Sequence, residues 1–319
     1  MNNLARGSRE RRFQLGETFW FLILFFGLLL TASLVSPAFL SFDNLQNVVR
    51  SITVIGIISL GMTLVMIAGE IDLSVGSVAA FSGMVGAQFV DGDSSTVVIF
   101  VTLGAGLLAG LVNGVGVAIF GVSSLIMTLG TLAIARALGN VISHGQAAYP
   151  TNLEFYMFLA RGKIFGLPVP IIIFLLTVAG VWSLVKFFSF GRKLYAVGSN
   201  TRAAELSGIN TRLIKVLVFA LSGLFAGIAN LLQSGRLGQI DPAMGGGYEL
   251  TAIAISVLGG ASLFGGRGTI EGTLIAALII GVMNNLLNLL GVSIYIQGLV
   301  VAGIIVSIVF LNGRKEDKP

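Results

Sequence analysis

The sequence contains no cysteine, which excludes a disulfide framework, a thiolate metal site and a cysteine nucleophile. Its one histidine, His144, does not build a zinc site alone. Charge is scarce: 10% of residues are Asp, Glu, Lys or Arg. Soluble domains carry about 25%, so an ordinary globular enzyme is excluded. A phosphate-binding loop is missing too. The only Gly-Lys pair, Gly162-Lys163, is followed by Ile164 and has Met157 where the first glycine would stand. No Ser-His-Asp or HExxH pattern appears.

What is present is apolar: 55% of residues, with a mean hydropathy of +0.96. That composition predicts an all-α polytopic membrane protein. The 43 glycines fit this reading, because helices in lipid pack closely through small residues. The net charge of +5 does not point to nucleic acid, since the basic residues sit in short stretches between apolar spans and so set membrane orientation.

A helix needs about 20 apolar residues to cross a bilayer core of about 30 Å. Uncharged runs of that order predict ten spans. Phe19 to Leu40 is the first, a retained helix rather than a cleaved signal, after a tail bearing Arg6, Arg9, Arg11 and Arg12. Ile52 to Gly69 and Leu73 to Val90 follow. Ser94 to Ala135 is 42 residues without charge and holds spans four and five around Gly121 to Ser124. Span six, Ile164 to Val185, opens on Pro168 and Pro170. Spans seven and eight are Val216 to Ser234 and Leu250 to Gly266, the latter short and glycine-rich. Gly272 to Gly313, again 42 uncharged residues, holds spans nine and ten around Gly291.

With the amino terminus inside, 14 Lys and Arg fall on the cytoplasmic side and 4 outside. Both ends, 1–18 and 314–319, and the long polar segment 186–215 are then cytoplasmic. The two 42-residue runs cross in opposite senses, which suggests an inverted repeat relating spans two to five with seven to ten. Coincidence among ten spans is the plainer alternative.

Phe190 to Ile209 reads FGRKLYAVGSNTRAAELSGI. It is too charged for lipid, yet Ala203, Ala204, Leu206 and Ile209 give a short helix an apolar side. Ser199, Asn200 and Thr201 are candidate caps and Gly208 a stop. Such a helix fits either a partner's groove or the lipid surface.

Asp72 or Ser74 is placed to cap span three, and a gate or pathway role is the alternative. Asn284, Asn285 and Asn288 either line a polar path or bond between helices, since amides in a span need partners; Asn230 and Gln233 are weaker candidates of the same kind. Arg136 reads as snorkelling to the outer surface. Gly104-Ala-Gly106-Leu-Leu-Ala109 loosely fits a dinucleotide fingerprint, but it lies inside a span, as do Gly110 and Gly114, and predicts helix packing. Arg50, Arg161, Lys163 and Arg236 are the basic residues outside, either a docking set for an acidic protein or simple surface charge.

Four blocks resemble the inner-membrane permeases of ribose-type ATP-binding-cassette sugar importers: GRKLYAVGSNTRAAELSGI, GYELTAIAISVLGG from 247, GGRGTIEGTLIAALIIGVMNNLLNLLGVS from 265, and GEIDLSVGS from 69. Such permeases often carry a small residue in place of Glu70. The resemblance implies that Gly198, Asn200, Ala203, Ala204, Ser207 and Gly208 dock a soluble ATPase subunit. It also implies a second permease copy, a periplasmic sugar-binding protein and a bacterial inner-membrane location. Asp72, Ser74, Asn284, Asn285 and Asn288 stand as path or gate candidates, and no cofactor or covalent chemistry is expected.

The rival is a proton-coupled secondary sugar carrier, suggested by the repeat and by Glu70 and Asp72. Carriers of that kind keep an ionisable relay at mid-membrane. Spans two, four, nine and ten have no acid in their cores.

Overall fold

The computed structural model describes residues 23–89, 95–149, 153–293, 295–304 and 306. It contains α1 (Ile23–Val35), α2 (Phe42–Ile67), α3 (Val75–Ala87), α4 (Ser95–Ala118), α5 (Ser124–Ser143) and α6 (Leu153–Arg161). A small antiparallel hairpin, β1 (Lys163–Ile164) with β2 (Leu167–Pro168), leads into α7 (Val169–Lys186). Then come α8 (Ser189–Ser199), α9 (Thr201–Leu206), α10 (Thr211–Leu237), α11 (Tyr248–Leu258) and α12 (Ile270–Leu289), and finally α13 (Tyr295–Ile304). The terminal tails and residues 19–22 of the first expected span lie outside the described residues.

Six of these helices, α2, α4, α5, α7, α10 and α12, are long and apolar enough to cross a membrane. α1, α3, α11 and α13 are apolar but shorter. An apolar helix thus stands at the place of each of the ten expected spans, though not each at full length. α3 and α11, of 13 and 11 residues, reach only about 20 and 17 Å, short of a bilayer core of about 30 Å.

Polar side chains set several boundaries. The Ser41 hydroxyl accepts from the Asn44 amide to open α2, and Asn200, Asn210 and Thr269 do the same for α9, α10 and α12. Pro168 and Pro170 flank the first residue of α7, where a missing amide donor costs little. The sequence reading placed nothing at α6, whose Tyr156 carbonyl backs onto Gly235 of α10.

α2 and α10 form the centre. The most apolar stretch of α2 is 83% buried and that of α10 is 61% buried, against 22% for α4 and 17% for α5, which lie at the outside of the bundle. α10 packs on α3 and α4, α2 packs on α11 and α12, and α2 and α10 pack on each other. The expected glycine stripe of α4 makes one of these contacts: a Cβ on Gly106 or Gly110 would meet the Gly223 or Phe219 carbonyl oxygen of α10 at 2.4 or 2.2 Å.

Candidate functional site

Three loops meet at one end of the bundle. The Gly266 amide, between α11 and α12, donates to the Ile67 carbonyl at the end of α2, 2.9 Å away. Gly198, near the end of α8, sits so close that a Cβ there would lie 1.7 Å from the same carbonyl oxygen. The Tyr195 hydroxyl donates to the Gly268 carbonyl at 2.7 Å. Burial, with the Glu271 charge, raises that phenol above its usual range, so it stays a donor. Glu70 and Lys215, 2.5 Å apart, tie the turn after α2 to the first turns of α10. The polar segment is therefore fastened to α2 and to the loop entering α12.

The six expected coupling residues divide. Asn200, Ala203, Ser207 and Gly208 are exposed, with Asn200 capping α9 and Gly208 ending the turn after it at φ 78°. Ala204 is buried in the main core, and Gly198 faces Ile67. These two hold the segment in place and do not present it. Leu206, 77% exposed beside Ala203, was expected on the same apolar side as Ala204 but points away from it. The reason is the helix period: residues one or two apart do not share a face.

Asp72 is buried in the turn between α2 and α3. Its Oδ1 accepts from the Ser74 amide at 3.0 Å and the Ser74 hydroxyl at 2.6 Å, and its Oδ2 accepts from Ser222 of α10 at 2.7 Å. Ser74 in turn accepts from Asn113 of α4, whose amide oxygen accepts from Thr131 of α5. The carboxylate thus closes the turn before α3, no side chain caps the first turn of α3 itself, and the chain of bonds joins four elements. Asn113, Thr131 and Ser222 had no signal in the sequence, because Asn113 and Ser222 are single polar residues in apolar runs and Thr131 stands among other hydroxyl residues of α5.

A second turn enters from the opposite end. Residues 238–247 lead from α10 into α11, and Asp241 accepts from the Ala243 amide at 2.7 Å as Asp72 does from Ser74. Arg136 of α5 donates to the Pro242 and Met244 carbonyls at 2.7 and 2.8 Å. It anchors this turn and does not snorkel, because those carbonyls have no helical partners. The two turns touch: a Cβ on Gly76 would lie 2.0 Å from the Gly245 carbonyl oxygen. From that contact α3 runs along α10, with Gly83 against Asn230, while α11 runs toward Ser59, Thr63 and Thr273. The two short helices begin together and diverge.

The asparagine triplet separates. Asn285 and Asn44 exchange two amide bonds at 3.0 and 2.8 Å, and Asn288 accepts from Gln297 at 2.8 Å. These pairs are interhelical bonds. The amide oxygen of Asn284 has no partner among the described residues, nor has that of Gln233. Asn230 accepts from Ser234 at 3.2 Å within α10.

The basic set gathers at the end opposite Tyr195 and Gly198. Arg161 and Arg236 lie close enough to act electrostatically on Arg50, as does Asp43, and the Lys163 ammonium stands 6.0 Å from the Phe42 ring. The hairpin beside them turns at Phe165 and Gly166, with positive φ at both, and leaves the Phe165 ring fully exposed. The groove between α7 and α10, lined by Leu176, Gly180, Val181, Leu221 and Phe225, is apolar and offers a polyol almost nothing to bond.

The family described as branched-chain amino acid transport system / permease component matches residues 44–309. The ribose import permease protein RbsC of Haemophilus influenzae is 42% identical over 85% of both chains. That of Bacillus subtilis is 42% identical over 91% of both. The D-allose transport system permease protein AlsC of Escherichia coli is 38% identical over 88% of this chain and 86% of its own. Permeases of this kind are not enzymes, and ATP hydrolysis falls to a separate subunit. A match of this extent makes the chain a member of the branched-chain amino acid transport system / permease component family.

Proposed function

We propose that this chain is the membrane-spanning permease subunit of a binding-protein-dependent ABC importer for a monosaccharide, ribose or a related pentose or hexose. The observation that carries the reading is the likeness to ribose and allose permeases along most of both chains. The proton-coupled carrier has no such support.

Residues 1–319 form a single permease domain of ten spans in the bacterial inner membrane, with both termini and residues 186–215 cytoplasmic. Two copies enclose the path. A sugar-loaded binding protein docks outside on Arg50, Arg161, Lys163 and Arg236, and the ATPase pair grips the exposed face of α9 through Ala203 and its neighbours. Closure of the ATPases pulls α2 and α12 together through Gly198 and Tyr195. Asp72 and Ser74 hold α3 against α10 beside the path, and Asn284 lines it.

The inverted repeat of α2–α5 and α10–α13 is supported by paired contacts. Gly86 at the end of α3 backs onto Thr102 of α4, and Gly259 after α11 backs onto Thr273 of α12. Gly110 of α4 packs on α10, and Gly281 of α12 packs on Ile52 of α2.

The test is reconstitution with the ATPase and binding protein encoded beside it. ATP-dependent sugar uptake is expected. Accumulation driven by a pH gradient in vesicles lacking the ATPase would overturn the reading, as would labelling of residues 198–208 from the periplasm in intact cells.

A further inference from the structure

We infer that Glu249 is a sugar-contacting residue of the translocation path, accepting hydroxyl donors where the two re-entrant turns meet. The inference rests on the importer reading above and assigns the polar group that the passing polyol meets there.

Asp72 and Glu249 are the two carboxylates beside the starts of α3 and α11, and they differ in one respect. Both oxygens of Asp72 are occupied by hydrogen bonds from Ser74 and Ser222. Glu249 has no side-chain hydrogen bond or ion pair among the described residues. Its Oε2 lies 3.0 Å from where a Cβ on Gly76 would stand, so the free carboxylate sits at the contact between the turns. Glu249 is half-buried, while Ala243, Gly246 and Leu250 around it are exposed.

An ionised side chain between the ends of a membrane bundle faces a partner, the bundle interior or water, because lipid does not solvate it. Here no partner is present among the described residues, and nothing lies within 4 Å of a Cβ on Gly247 beside it. A carboxylate is an acceptor only, so it suits hydroxyl donors and repels anions. The chemistry it selects is a neutral polyol over a sugar acid or a sugar phosphate. Contact by a single half-buried group keeps the hold weak, as passage demands.

The absence of cysteine supplies the first test. Glu249→Cys, as the only thiol, is expected to react with a membrane-impermeant charged thiosulfonate in the assembled complex, and Leu108→Cys, on the lipid side of α4, is not. An unreactive Glu249→Cys in a complex that still binds its ATPase overturns the inference.

The second test is uptake of D-ribose and D-allose with the binding protein saturated. Glu249→Gln is expected to lower turnover at least tenfold with ATPase copurification unchanged, and Glu249→Asp to restore most of it. Wild-type turnover in Glu249→Gln overturns the inference alone. A wild-type complex that accumulates neither these two sugars nor any other pentose or hexose bound by its binding protein overturns the importer reading and, with it, the substrate class given to Glu249.

Discussion

The carboxylate of Asp72 accepts a hydrogen bond from the Ser222 hydroxyl at 2.7 Å, joining the turn before α3 to the middle of α10. Three donors converge on this one buried acid, so its removal strands all of them. Asp72→Ala is expected to cost about 1–3 kcal/mol for each stranded group and to lower the melting temperature of the purified protein by many degrees. Ser222→Ala loses a single donor and is expected to cost less. Equal melting points for the two variants would contradict the network.

Two glycines six residues apart in α4 have unlike surroundings. A side chain on Gly110 would collide with the Phe219 carbonyl, whereas nothing lies within 4 Å of a Cβ on Gly104. Gly110→Leu is expected to abolish folded protein in the membrane, and Gly104→Leu to leave yield and uptake intact. Fluorescence-detected size exclusion separates these outcomes.

The exposed and buried sides of α9 part docking from folding. Ala203→Arg and Leu206→Asp are expected to release the ATPase subunit in pull-down while leaving the melting temperature within a degree or two, because surface changes cost little. Ala204→Arg places a charge in the core and is expected to lower the melting temperature itself. ATPase retained by both surface variants would argue against the docking face.

Tyr195→Phe removes only the donor to Gly268. A lost bond of this kind costs about 1 kcal/mol. The expected result is normal ATPase binding with fewer sugars moved per ATP hydrolysed. An unchanged ratio would show that the tether carries no motion.

The reciprocal amide pair of Asn44 and Asn285 predicts non-additivity. Asn285→Leu alone strands the Asn44 amide and is expected to destabilise by about 1–3 kcal/mol, while the double change to leucine is expected to recover much of that. Sugar preference is expected to stay the same in both, since the pair is structural.

Much of this arrangement was legible in residue order. The apolar runs coincided with the six long and four shorter apolar helices among the described residues, and Asn200 and Gly208 marked the limits of α9, since caps and stops are local signals. Gly106 and Gly110 read correctly as packing residues for the same reason: an uncharged span has no strand to present a nucleotide fingerprint. Local rules failed where a side chain's partner was distant. Arg136 read as a snorkelling residue because the Pro242 and Met244 carbonyls that hold it are more than a hundred positions away.

The sequence by itself determined the solvent of this protein: with so little charge and so many long apolar runs, only helices that satisfy their own backbone in lipid are open to it. It also carried the family likeness and the long polar segment 186–215. Only the tertiary structure decided that α3 and α11 start together inside the bundle, that Asp72 is fully bonded while Glu249 has no partner among the described residues, and that Ala204 turns inward while Ala203 turns out. Those outcomes depend on which helix lies across from which. That is fixed by close backbone contacts such as Gly76 with Gly245, and no periodicity within one segment encodes them.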